Sequence, residues 1–306
     1  MQKGLFGTDA GVIPVQEPEA RPLTFRHDES AFDLLPVVSS WVVHHRITHL
    51  CEPFAGSGAL SFALLQEHLI DHAFLGDRNK TYAGIFGSIV LHSHDLAHAL
   101  HVIAEHPAVA GRPADEGFPP RWRSLHLPGT SDMEWYVVRS AYALCELEAS
   151  GRLLTTFSSG DGASPPPPLS RPLDGSCKRV FVRLRNYVQA CKGTAQCTSD
   201  DGLHLLRDII SGMRVDTSST RWGLLLVPPF DASLVHYRCG SGRESVDLAG
   251  LAEILSSTSL PYLILSPPSR ALERLMGQLG LDPVLHQTIR HSKDFWAIAP
   301  DSTAFM

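Results

Sequence analysis

Apolar residues recur along this chain in two rhythms that alternate. Short unbroken runs predict strands, and stripes repeating every three or four positions predict helices. Leu34, Leu35, Val38, Trp41 and Val42 share one helical face within 33–43. A strand over 47–51 follows, then a helix over about 59–68, a strand over 73–76 and a helix over about 81–101. Further on, Tyr136, Val137, Ala141, Leu144 and Leu147 line one side of a helix expected over 133–148. Strands are predicted at 195–198, 222–227 and 262–265, with helices at about 202–213, 245–255 and 269–279. Two extended segments, 284–291 and 294–299, predict a closing hairpin. Strands alternating with helices predict an α/β sheet with helices on both faces. The uninterrupted run from Trp222 to Val227 suits a central strand of it.

The rhythm fails in two places. Residues 1–25, spotted with Pro14, Pro18 and Pro22, read as an N-terminal arm. Residues 108–192 read as a region inserted between core segments 26–107 and 193–306, with a proline-rich loop at 158–176. The longest apolar runs are too short to span a bilayer. No targeting signal is recognised, and the scattered cysteines, without a C-x-x-C pair, point to a reducing intracellular compartment. The formal charge of −6 gives no overall attraction to nucleic acid, so such binding needs a local basic surface. Arg121 and Arg123, and then Arg179, Arg183 and Arg185 on an otherwise apolar helix, are the candidates; a solvated helix face is the plainer reading. His94, His98 and His101 recur on one helical face, where a solvated polar face is a better account than a metal site.

The candidate chemistry centres on Glu52-Pro53-Phe54-Ala55-Gly56-Ser57-Gly58. Glycines at 56 and 58 let a ligand approach the main chain, and the helix that follows aims its first N–H groups there. Neither G-x-G-x-x-G nor a phosphate-loop Lys-Ser/Thr is present, which argues against a dinucleotide fingerprint or a nucleoside triphosphatase. The Glu52 carboxylate suits a cationic amine such as the methionine part of S-adenosylmethionine (SAM). Asp77, at the tip of the second strand with Asn79 close behind, stands where such sheets hold a ribose, or else caps a helix.

In this order the features resemble the Dam-like DNA adenine-N6 methyltransferases over nearly the whole chain. Residues 52–59 match that family's SAM-binding E-P-F-x-G-x-G motif, and Asp77-Arg78-Asn79 its D-x-N segment. The resemblance implies a Rossmann-like SAM-dependent methyltransferase fold, with Asp200 or Asp201 beside the adenine of SAM and DNA recognition within the insertion. It places Val227-Pro228-Pro229-Phe230 at the catalytic D-P-P-Y. There the family's first residue accepts a hydrogen bond from the adenine amino group, and its aromatic fourth residue stacks on the flipped base. Val227 cannot accept one, and losing such a partner typically costs about 2.7–4 kcal/mol of transition-state stabilisation. Asp231 and Ser266 are possible substitutes.

Two functional classes are therefore expected. One is a SAM-dependent methyltransferase of DNA or RNA adenine with impaired chemistry. The other is a pseudoenzyme serving as a structural or binding component of a nucleoprotein assembly. A small-molecule or protein methyltransferase is a third option. No metal and no membrane partner are expected.

Overall fold

The structure is a computed structural model that describes residues 34–105 apart from 57 and 79, residues 137, 140, 141, 143, 144 and 191, and the segments 193–198, 201–212, 220–227, 246–281 apart from 267, 284–287 and 294–300. Helix α1 (Leu35–His45) leads into β1 (His49–Glu52), α2 (Ala59–Gln66), β2 (His72–Gly76), α3 (Lys80–Leu91) and α4 (Ser93–Glu105). After them come β3 (Ala195–Thr198), α5 (Gly202–Gly212), β4 (Trp222–Leu226), α6 (Leu248–Ser257), β5 (Tyr262–Ser266) and α7 (Arg270–Leu279). Strands β6 (Val284–Gln287) and β7 (Asp294–Ile298) form the expected antiparallel pair.

The single helix expected over 81–101 is two helices. Between Leu91 and Asp95 the apolar stripe lapses, and Leu91 itself is 74% exposed. With little apolar burial to hold the turn, the chain leaves the helix at His92 and restarts at Ser93. The helix expected over 133–148 and the end of the segment expected over 284–291 lie largely outside the described residues. For the other helices and strands whose ends are described, the predicted boundaries hold to within a few residues, and side-chain caps or a glycine mark several of them. Asp247 accepts from the Ala249 and Gly250 amides, Ser269 from that of Leu272, and Gly280 closes α7 in the left-handed region.

The sheet runs β3-β2-β1-β4-β5-β7-β6. Strands β1 to β5 are mutually parallel, and β7 lies antiparallel to β5. Alternate strand residues enter two separate cores. Leu50, Ala73, Leu75, Leu225, Leu263 and Leu265 face α1 to α4, whereas Cys51, Leu224, Leu226, Tyr262 and Ile264 face α5 to α7. Helices thus cover both faces, and the chain is a mixed α/β protein with a mostly parallel sheet. Val137, Ala141, Ala143, Leu144 and Cys191, from the region read as an insertion, are buried in the first of these cores. Ser140 hydrogen-bonds Ser88 of α3 at 2.9 Å there. No described helix is long and apolar enough to cross a membrane.

Candidate functional site

In parallel sheets a ligand crevice opens at the carboxyl ends of the strands, where the strand order reverses. Here the reversal falls at β1, which has β2 on one side and β4 on the other. The glycine turn leaves β1 at that point. Its path is set by three main-chain features. The Ala55 amide donates to the Gly76 carbonyl at 2.9 Å, tying the turn to the tip of β2. Gly56 and Gly58 have φ of 53° and 64°, a region that side chains disfavour. A Cβ on Gly58 would also stand 2.9 Å from the ring of Phe62.

Two buried carboxylates meet this turn. Asp77, 8% exposed, accepts the Gly56 amide on Oδ2 at 2.8 Å. Glu52, 2% exposed, accepts a hydrogen bond from the Ser61 hydroxyl in the first turns of α2. Pro53 is buried and Phe54 half-buried beside them. Ser57 and Asn79 lie outside the described residues. The arrangement puts carboxylate oxygen near the start of α2, whose first amides have no partner within the helix itself, a setting for a ligand with both cationic and hydrogen-bonding groups.

The tip of β3 closes the third side. Asp201 accepts the Leu203 amide at 2.8 Å, the geometry of a helix cap, so this acid holds the start of α5. Its other oxygen lies 3.6 Å from Arg78, immediately after Asp77. A Cβ on Gly202 would fall 2.5 Å from the Pro53 carbonyl oxygen and 2.6 Å from the Phe54 ring, so α5 begins hard against the glycine turn. The structure thus brings Glu52, Pro53, Phe54, Gly56, Gly58, Asp77 and Asp201 to one edge of the sheet. Asp200 lies outside the described residues.

At the same edge β4 is followed by Val227, half-buried with its hydrocarbon packed on the first core. Pro228, Pro229, Phe230 and Asp231 lie outside the described residues, as do Arg121, Arg123, Arg179, Arg183 and Arg185. Ser266 ends β5 and is buried. Among the described residues no three metal-ligating side chains come together. His94 and His98 are exposed on α4, and the side chain of His101 is outside the described set.

Ser61, Arg78 and Gly202 had no role assigned from sequence. Ser61 carried a usable signal: it is a hydroxyl in the otherwise apolar start of α2, ALSFALL, and a polar group on a buried face needs a partner. The ion-pair contact of Arg78 with Asp201 reaches a distant segment, beyond any local pattern. No family model and no curated protein matches the chain.

Proposed function

We propose that this protein is a SAM-binding homologue of the Dam-like adenine-N6 methyltransferases in which catalysis is impaired or lost. The observation that carries the reading is the Gly56–Asp77 hydrogen bond, which joins the glycine turn to an acid at the neighbouring strand tip. A carboxylate accepts up to about four hydrogen bonds, so one acid can hold a turn amide and ribose hydroxyls together. Glu52 and the amide groups at the start of α2 suit the amino and carboxylate groups of the methionine part. The doubly wound sheet with its C-terminal hairpin agrees with a Rossmann-like SAM-dependent methyltransferase fold.

SAM, when bound, supplies an electrophilic methyl group on a sulfonium. In an active relative of this design the adenine nitrogen takes that methyl, the carbon–sulfur bond breaks, and the nitrogen loses a proton. That nitrogen needs an acceptor at the end of β4. Val227 supplies hydrocarbon turned to the core instead, which favours a pseudoenzyme that binds DNA or RNA within a nucleoprotein assembly. The alternative is a slow adenine methyltransferase that recruits Asp231 or Ser266.

Calorimetric titration with SAM and S-adenosylhomocysteine tests the reading. Saturable binding that Asp77→Ala weakens is the expected result. Absence of binding to either ligand, with the fold intact by circular dichroism, refutes it.

A further inference from the structure

Arg78 and Asp201 stand on adjacent strand tips, β2 and β3, and their charged groups meet at 3.6 Å. Both are half exposed, at 55% and 44%, so the pair lies on the rim of the site. It is anchored at both ends. Asp77, next to Arg78 in the chain, is fixed by the Gly56 amide, and Asp201 is fixed by the Leu203 amide. Behind the pair, Gly202 lies against Pro53 and Phe54. A ligand that sits over the glycine turn and reaches toward the start of α5 therefore meets the Arg78–Asp201 contact on its way.

We propose that the Arg78–Asp201 ion pair is a latch, an internal competitor that a nucleoside ligand must open to occupy the site. The inference rests on the SAM reading for the ligand class, while its own content is the competition. The latch is built to be weak. Ion pairs at this degree of exposure contribute little and are screened by salt. Opening it costs the ligand a modest factor at low ionic strength and almost nothing at high ionic strength. The protein consequently takes up ligand more readily as salt rises, relative to a protein without the latch. Anything that engages Arg78 with a competing anion, such as a phosphodiester, opens the slot in the same way and links polynucleotide binding to ligand binding.

The test uses the full chain, with S-adenosylhomocysteine and SAM as ligands, and compares wild type with Arg78→Ala and Arg78→Lys over a salt series. The ratio of wild-type to Arg78→Ala dissociation constants cancels the salt dependence of the ligand itself. A ratio of about two to five at low salt that falls toward one at high salt is the expected result, and Arg78→Lys, which keeps the charge, stays near wild type. A ratio of one throughout overturns the latch and leaves the SAM reading standing. A ratio below one makes Arg78 a ligand contact and also overturns it. Binding by Arg78→Ala alone supports both ideas, and binding by neither protein refutes both.

Discussion

The Gly56 amide donates to Asp77 Oδ2 at 2.8 Å across a separation of 21 residues. This bond couples the shape of the turn to the position of the acid, so neither is set independently. Asp77→Ala removes a buried acceptor and leaves the Gly56 donor unsatisfied, a penalty of about 1–3 kcal/mol. Ligand affinity is expected to fall roughly ten- to a hundredfold, with a lower thermal midpoint. An unchanged affinity by calorimetry would remove Asp77 from the site.

Ser61 is a hydrogen-bond partner of Glu52 inside the protein, and its removal tests how the carboxylate is held. Ser61→Ala is expected to cost about 1–3 kcal/mol, because a buried carboxylate loses a donor. Urea unfolding reads this as a lower midpoint at constant slope. A midpoint equal to wild type would mean that the Glu52–Ser61 bond contributes nothing.

Gly202 is needed for close approach. The nearest neighbour of an added Cβ is a main-chain oxygen at 2.5 Å, which cannot swing aside as a side-chain end can. Gly202→Ala is expected to push α5 off the turn at a cost of about 1–3 kcal/mol. Gly212, at the far end of the same helix, has open space around its added Cβ and serves as the control. Equal stability of the two alanine variants in thermal denaturation would contradict the packing described here.

Val227→Asp puts an acceptor where the adenine amino group would meet one. If only that acceptor is missing, the variant methylates adenine in DNA or RNA above the wild-type level, measured by transfer of labelled methyl from SAM. No gain would mean that the base pocket or the recognition surface is lost as well.

Burial pushes the Cys51 thiol well above its ordinary value of 9.0, with the neighbouring Glu52 charge adding to the effect. Below that value the thiol is protonated in both folded and unfolded chains, and its contribution to stability is fully present. Above it the unfolded thiol loses its proton while the folded one keeps it, so stability falls as pH rises, by up to about 1.4 kcal/mol per pH unit. Cys51→Ala is expected to flatten the decline in thermal midpoint between about pH 8 and pH 10. A wild-type midpoint that holds steady over that range would contradict the shift.

What the sequence by itself determined is local. The elements, their order and the glycine turn follow from apolar spacing and from caps such as Asp247, Ser269 and Gly280, all acting within a turn or two of chain. The break at His92 escaped because a helical stripe can lapse for one turn without a proline or glycine to mark it. What only the tertiary structure decided is which distant groups meet. Strand order put β1 between β2 and β4, and that order brought Asp77 to Gly56 and Arg78 to Asp201. It also sank Val137, Ala141 and Leu144 into the core shared by α1 to α4. Hydrophobic periodicity reports which face of an element is buried, but not against what. A hydrogen bond or ion pair depends on register between elements, and register is set only when the whole sheet closes on its two cores.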